Sequence, residues 1–593
     1  MRKRTSVSSA LMVDPEQKYR NLSDVLEERL SQNPEHIAFD LPVRGSTGAI
    51  ERWKHVTTAE FHRQVRAVAA GLIAQGIGLG DRVALFSPTV YEWAVADCAL
   101  IYAGAQVVPI YDTSSPQQVG DILANAGVVA AFAGSQGHAD TLTQAGEERG
   151  LDLAIWCWES SLAYPCLSDL EEAGRGLEQV QVDQRRAQLR PADIVTLVYT
   201  SGTSGAPKGV KISHLNMMGQ VLNVAAAYSE IVHEQGRTVI FLPLAHVLAR
   251  GLQLVCLVKG MRIAHLSNPK ELISQLPHTQ PTFLVVVPRV LEKVGDAVSK
   301  QAQAKHLGRV WQAAERTALA VARAQEQGLR PGRPLLFARA AYDALFFSRV
   351  RSLLGGKIEW ILSGGAPLAR ELSLLFAGMK VPVVEGYGLT ETTAPLAGNR
   401  PGAIRSGTVG LPLPGAEIRI SEEGEVLARG IGVISGYTDS SWDQLAFTED
   451  GYLRTGDLGS LDADGYLTIR GRLKDEITTA GGKSISPFTW EEAVTASPLV
   501  EHAIMIGDKR PYLVALIVPS EDGRALPQAA CAQAIQKLVE DANSLVARSE
   551  QVRRFKVIEL DDQDPELITP TQKLRRTALS KRFGQVIDEL YAA

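Results

Sequence analysis

Cysteine is scarce in this sequence. Its 593 residues include five, Cys98, Cys157, Cys166, Cys256 and Cys531, with no CxxC pair among them. Neither a zinc site nor a disulfide framework is indicated, and a reducing compartment fits best. An excess of positive charge is also missing: 61 Lys plus Arg stand against 66 Asp plus Glu, a formal net charge of −5. That balance withholds the basic field that nonspecific nucleic-acid binding needs, so no nucleic-acid partner is expected. No apolar run reaches the roughly 20 residues of a bilayer span; the longest mostly apolar stretch, Ala94 to Ile110, is broken by Asp97. Met1-Arg2-Lys3-Arg4 opens like a signal n-region, but Thr5 to Val13 is too short and too polar to serve as the apolar segment behind it, so no export is expected. Fixed-period repeats and low-complexity tracts are lacking as well.

What is present is ordinary globular material, 45% hydrophobic and 21% charged, which excludes wholesale disorder, collagen-like structure and a multi-span membrane protein. At roughly 150 residues per domain, the length suggests several structural units. Residues 1–20 read as an N-terminal extension. From Asn21 the pattern alternates helix and strand. Leu22 to Leu30 has helical spacing with Ser23 as its candidate cap, Arg82 to Phe86 and Gln106 to Tyr111 are strands, and Tyr91 to Ala103 is a helix between them. This βαβ rhythm predicts parallel sheet with helices on its faces. It recurs in the β-branched runs Asp193 to Tyr199, Thr238 to Leu242, Thr282 to Val287 and Ile358 to Leu362, which read as strands buried on both faces.

Residues 289–352 form a helical insertion. Within it Arg309 to Arg323 reads first as a surface helix packed on the core and second as a membrane-facing or partner helix. After Arg419 short strands and glycine turns take over. A boundary near Arg472 separates a large domain, 21–472, from a small α+β domain, 473–593. In the small domain, Trp490 to Ala496 and Cys531 to Arg548 read as helices, and His502 to Ile506 and Leu513 to Val518 as strands. The expected fold class is α/β: a large N-terminal domain of parallel and mixed sheets flanked by helices, with a small mobile α+β C-terminal domain.

The most specific segment follows Tyr199. Thr200-Ser201-Gly202-Thr203-Ser204-Gly205-Ala206-Pro207-Lys208-Gly209-Val210 packs three glycines, four hydroxyls and one lysine into eleven positions. Glycines let backbone N–H groups approach an anion, hydroxyls add donors and lysine adds a point charge, which together describe a polyphosphate cradle. The spacing is not the Walker one. A flexible Gly/Ser linker is the alternative, but it needs neither the lysine nor the preceding buried strand.

This segment resembles the signature loop of the adenylate-forming superfamily, which comprises acyl-CoA synthetases, peptide-synthetase adenylation domains and luciferases. Further segments resemble that family's motifs in the same order. Ser363-Gly364-Gly365-Ala366-Pro367-Leu368 resembles the stretch lying along the adenine. Gly386-Tyr387-Gly388-Leu389-Thr390-Glu391 resembles the motif whose ring covers the base and whose Thr and Glu serve phosphate and Mg²⁺. Tyr452 to Leu458 resembles the segment whose aspartate, here Asp457, holds the ribose hydroxyls. Gly471-Arg472-Leu473-Lys474-Asp475 resembles the hinge, with Arg472 at the nucleotide and Lys474 and Asp475 as the pivot. Gly481-Gly482-Lys483 resembles the loop lining the CoA channel, and Thr569 to Leu574 the C-terminal motif whose lysine, here Lys573, drives adenylation. Ser484 stands where asparagine is expected, and Tyr452 where tryptophan is frequent. The resemblance spans about Asn21 to Arg582 and, through Val287 to Lys293 and Tyr342 to Gly356, is nearest to bacterial long-chain fatty acyl-CoA synthetases.

The residue types suit these implied roles. Asp457 can accept two hydroxyl hydrogen bonds with a charged acceptor; otherwise it is a turn aspartate. Glu391 is an oxygen ligand of the kind Mg²⁺ uses beside substrate phosphates; otherwise it starts a helix. Tyr387 between two glycines suits a stacking plate; otherwise it is a turn tyrosine. His246 follows a strand, where α/β proteins place their sites, and the resemblance puts it near the reacting carboxylate; a structural histidine is the equal alternative. Lys573 and Lys208 are so far apart in sequence that only domain closure would join them. The resemblance therefore implies ATP- and Mg²⁺-dependent activation of a long-chain fatty acid to acyl-AMP, then thioester formation with CoA, releasing AMP and pyrophosphate. Lys573, Lys208, His246, Thr390 and Glu391 would be the catalytic set. The alternatives are an acyl-AMP ligase that loads a carrier protein and an enzyme for medium-chain or other acids. A cytoplasmic location follows, with peripheral membrane contact as its variant.

Overall fold

A computed structural model describes residues 4–158, 163–177, 179–201, 207–480, 484–561, 564, 567–568 and 574–592. The large N-terminal domain is built on three sheets. In the first, the strands run in the order Leu411–Pro412, Ala397–Gly398, Val383–Tyr387, Trp360–Ser363, Phe283–Val286, Arg237–Ile240, Arg262–His265, Ile37–Arg44, Ile50–Thr57. Its six central strands are parallel, and antiparallel strands finish both edges. In the second the order is Ala154–Cys157, Ala130–Ala133, Arg82–Phe86, Gln106–Ile110, Ile194–Ser201, Pro207–Ser213, parallel except for the last pair. The third is an antiparallel sheet in the order Ser6–Ser8, Ala416–Ile420, Glu425–Gly430, Leu453–Leu461, Leu467–Arg472.

The βαβ reading of the N-terminal half holds closely. Arg82–Phe86 is a strand, Tyr91–Ala103 a helix and Gln106–Ile110 the next strand, parallel to the first. That helix is buried on every side, which is why its sequence is apolar all round rather than striped. Burying one leucine-sized side chain fully contributes about 1.5–3 kcal/mol. The lone charge that breaks its apolar run, Asp97, is completely buried and bound by both Nε (3.0 Å) and Nη2 (2.6 Å) of Arg250. The aspartate that argued against a membrane span is thus a core ion pair joining two helices.

Two expectations change and a third is decided. The first helix, Leu22–Gln32, is capped by Asn21, whose side chain accepts from the Ser23 N–H, and not by Ser23; Ser23 lies one residue too late and bonds Asn21 and Arg186 instead. The segment before Asn21 is more than an appendage, because Ser6–Ser8 pairs with Ala416–Ile420 and Asn223 accepts the N–H groups of Met12 and Val13. Lastly, the helix Gly308–Glu326 has its apolar stripe, Trp311, Ala314, Ala318, Val321 and Ala322, buried in the protein, so its first reading, a helix packed on the core, is the one observed.

The smaller C-terminal domain holds the strands Val500–Ile506, Leu513–Pro519 and Val552–Val557 in one sheet. The helices Phe488–Thr495 and Gln528–Ser544 share its core through Trp490, Val494, Ile535 and Val539. It meets the large domain at Arg289, whose Nη2 lies 2.7 Å from Glu501, and at Lys300, which pairs with Asp522. Among the described residues, no helix is long and apolar enough to cross a membrane.

Candidate active site

The glycine- and hydroxyl-rich segment is divided by a β-hairpin. Thr200 and Ser201 end the strand Ile194–Ser201, and Lys208 lies near the start of Pro207–Ser213, opposite Thr200 in the ladder. Part of the segment expected as a loop is therefore strand, because antiparallel pairing draws both of its flanks into the sheet. Gly202, Thr203, Ser204 and Gly205 lie outside the described residues, as do Gly481, Gly482, Lys483 and Lys573.

Lys208 is held over an aromatic ring that the sequence reading had not singled out. Its Nζ stands 3.2 Å from the centroid of Trp442, a cation–π contact. The turn carrying Trp442 is tied to the hairpin by the Thr438 N–H, which donates to the Gly209 carbonyl at 2.8 Å. Burial lowers the Lys208 pKa, Glu391 opposes that shift and Lys474 adds to it by like charge.

Glu391 sits in the single turn Thr390–Thr392. The Tyr437 hydroxyl donates to its Oε1 at 3.2 Å. Burial raises the carboxyl above its ordinary 4.5, against the pull of its hydrogen bonds and of Arg472 and Lys208. A single carboxylate with a lysine in its electrostatic reach is a donor set of the kind that fits Mg²⁺, which keeps waters and takes most of its remaining oxygens from substrate phosphates. Among the described residues no group of three or more His, Cys, Asp or Glu side chains is placed to hold a metal by itself.

A second knot lies on the adjoining strands. Asp457 is 3% exposed; its Oδ2 accepts from the Tyr387 hydroxyl at 2.6 Å and its Oδ1 lies 3.0 Å from Arg472 Nε. Asp457 and Arg472 face each other across an antiparallel ladder, so the sheet itself builds this pair. A carboxylate has about four lone-pair directions, so Asp457 keeps capacity for sugar hydroxyls after both contacts. Tyr387 is more than a flat plate: its hydroxyl tethers the ring to Asp457, and burial raises the phenol pKa.

The candidate adenine segment follows the strand Trp360–Ser363 directly. Gly364 donates its N–H to Val286 at 3.2 Å, and Gly365 has a φ of +80°, a left-handed conformation that glycine adopts without strain; Ala366 follows. Gly386 pairs with Gly398 in the sheet. At Gly388 a Cβ would stand 2.9 Å from the Leu396 nitrogen, so the backbone packing admits no side chain there. Beneath them Glu385, a residue the sequence reading passed over, is pushed up to about 8 by burial and accepts from the Leu368 N–H at 3.3 Å. Its like-charged neighbour Glu492 comes from the small domain.

His246 caps the helix Val247–Lys259, its Nδ1 accepting from the Leu248 N–H at 3.1 Å. One turn later Arg250 anchors the same helix to Asp97. The expected hinge residues Lys474 and Asp475 occupy the single turn Leu473–Asp475. Burial and Arg472 lower the Lys474 pKa, against Asp475 and Asp457, and Asp475 lies 3.9 Å from Arg576 of the small domain.

Lys208, Glu391, Arg472, Lys474, Asp457 and Tyr387 thus converge from distant stretches of sequence. Trp442 and Tyr437 complete the group, and only the aromatic placement in the glycine-punctuated stretch after Gly436 hinted at them.

A large α/β domain with a small α+β domain, and cationic, carboxylate and hydroxyl groups gathered into one cluster, is the arrangement of the adenylate-forming class. The AMP-binding enzyme family matches residues 26–438, and the AMP-binding enzyme C-terminal domain matches residues 474–593. The chain belongs to this family. It is 34% identical to long-chain-fatty-acid–CoA ligase FadD15 of Mycobacterium bovis, over 96% of this chain and 97% of the relative, and 28% identical to long-chain-fatty-acid–CoA ligase ACSBG2 of Xenopus laevis, over 91% and 80%. Among solved structures, the anthranilate CoA ligase AuaEII in complex with anthranoyl-AMP has a TM-score of 0.74 at 19% identity, covering 96% of this chain and 99% of that one. ATP-bound MatB from Rhodopseudomonas palustris has a TM-score of 0.70 at 20% identity, with coverages of 95% and 99%.

Proposed function

We propose that this chain is a long-chain fatty acid–CoA ligase that forms acyl-AMP and then acyl-CoA. In the first step a carboxylate oxygen bonds to the α-phosphorus of ATP and pyrophosphate leaves. In the second the CoA sulfur bonds to the acyl carbon, AMP leaves and the thiol proton is lost. The observation that carries this reading is the convergence of Lys208 and Glu391 beside the Tyr387–Asp457–Arg472 knot, set in a chain 34% identical to a relative of that name over nearly its full length.

Asp457 holds the ribose and Tyr387 stacks on the base, with Gly364, Gly365 and Ala366 along its edge. Thr200, Ser201 and the residues Gly202 to Gly205 line the phosphates, with Thr390 beside them. Lys208 places positive charge where charge develops on the transferring groups, the arrangement that gives electrostatic catalysis most of its effect. Glu391 would hold Mg²⁺, which when bound neutralises phosphate charge. His246 orients the acyl carboxylate.

The chain divides at Arg472, and Lys474 with Asp475 forms the pivot about which residues 473–593 turn. Turning presents Lys573 for adenylation, then Gly481, Gly482 and Lys483 for CoA. Few residues suffice to absorb such a rotation. The long-chain substrate is greasy, so peripheral contact with a membrane from the cytoplasmic side belongs to this reading.

The test is a panel of carboxylic acids assayed for AMP release with and without CoA. Release that depends on CoA and is greatest for long-chain acids is expected; release that CoA does not stimulate, or that is greatest for short or aromatic acids, overturns the assignment.

A further inference from the structure

The helical insertion contains one helix whose outward face the described residues leave exposed. Arg333–Tyr342 has no buried residue, whereas its neighbours in sequence bury Trp311, Val321, Phe346 and Phe347. Phe337 is 75% exposed, more than any other large hydrophobic side chain among the described residues, and Leu329, in the turn leading in, is 59% exposed. Ala341 and Ala344 follow Phe337 by four and seven positions and are exposed too, so they extend one outward apolar face.

The charge here runs against that of the whole chain. From Gln327 to Tyr342 there are three arginines, Arg330, Arg333 and Arg339, and no acid, in a protein of net charge −5. Some nearby arginines are engaged, Arg323 with Glu371, Arg370 with Glu326 and Arg351 with Asp343. Arg330, Arg333 and Arg339 form no ion pair with any of the described residues.

We propose that Leu329–Tyr342 is a membrane-docking surface whose occupant is an anionic lipid bilayer. Leu329 and Phe337 enter the boundary between headgroups and acyl chains, and Arg330 and Arg333 meet lipid phosphates, while Arg339, on the far side of the helix from Phe337, adds only to the positive field. Exposed apolar side chains flanked by unpaired basic ones are what interfacial binding requires, since apolar burial and attraction to anionic headgroups add. A second copy of the chain is the poorer occupant, because a two-fold contact sets the same patch against itself and would bring like-charged arginines together. The inference rests on the acyl-activating reading for its purpose, since a long-chain acid resides in bilayers and a docked enzyme takes it from there.

The test is co-sedimentation of the full-length protein with vesicles of phosphatidylcholine alone and of phosphatidylcholine with roughly 30% phosphatidylglycerol. Pelleting with the anionic vesicles, weakening as salt rises from about 0.1 M to 0.5 M, is expected. The double variants Leu329→Ser/Phe337→Ser and Arg330→Gln/Arg333→Gln should each lose roughly tenfold or more in partitioning. All four side chains are exposed, so an unchanged urea midpoint shows that the fold is intact. No pelleting of the wild type, or pelleting of both variants to the same extent as the wild type, overturns the proposal. So does a dimer in sedimentation velocity that the serine variant dissociates. CoA-dependent AMP release from dissolved acid is measured in parallel: its absence in the wild type counts against the ligase reading alone, and its persistence in variants that no longer pellet supports docking as a separate property.

Discussion

The Tyr387 hydroxyl donates a 2.6 Å hydrogen bond to Asp457, a residue 70 positions further along the chain. The bond joins the ring expected over the base to the carboxylate expected under the sugar, so the two halves of the proposed nucleoside site are set by one contact. A hydrogen bond to a charged group is worth about 1.5–3 kcal/mol. Tyr387→Phe should therefore raise the KM for ATP by roughly tenfold with a smaller change in kcat. The preference for ATP over 2′-deoxy-ATP should narrow in Asp457→Asn. Unaltered discrimination between the two nucleotides would remove Asp457 from the ribose.

Lys208 rests on Trp442, and the contact orients an ammonium on a long flexible stem. Cation–π contacts contribute about 0.5–2 kcal/mol, so Trp442→Leu should raise the KM for Mg-ATP several-fold while Trp442→Phe keeps most of the wild-type value. Lys208→Ala should lower kcat far more than either. Steady-state kinetics on the three variants decides it; identical behaviour of the Leu and Phe forms would mean that the ring does not position the lysine.

Burial pushes the Glu385 carboxyl up to about 8 from its ordinary 4.5. A carboxyl whose folded pKa is raised contributes its stability below the unfolded value and loses it as pH rises through the folded one. Relative to Glu385→Gln, the wild type should lose on the order of 1 kcal/mol per pH unit between about pH 4.5 and 8, with no further divergence above. Urea midpoints of both proteins across that range would show it, and parallel curves would contradict a proton held on Glu385.

Lys573→Ala should lower pyrophosphate release in the first half-reaction by about a hundredfold or more, the scale of losing one transition-state donor. Thioester formation from supplied acyl-adenylate should stay within a few-fold of wild type. Equal loss in both half-reactions would assign Lys573 a general structural role instead.

Much of this protein was legible in its sequence. The strand–helix–strand run from Arg82 to Ile110 declares itself because helix and strand leave different local periods and because both faces of a parallel sheet are buried. Local backbone chemistry likewise marks Gly365 and Gly388, where a left-handed turn and a close backbone approach admit little else. What tertiary structure alone decided are the meetings: Asp97 with Arg250, Lys208 with Trp442, Glu391 with Tyr437, Tyr387 with Asp457. It also decided which helix of the insertion is covered and which is not. Such pairings depend on how sheets stack, and no local spacing encodes them, since desolvation and Coulomb attraction act between neighbours in space whatever their separation along the chain.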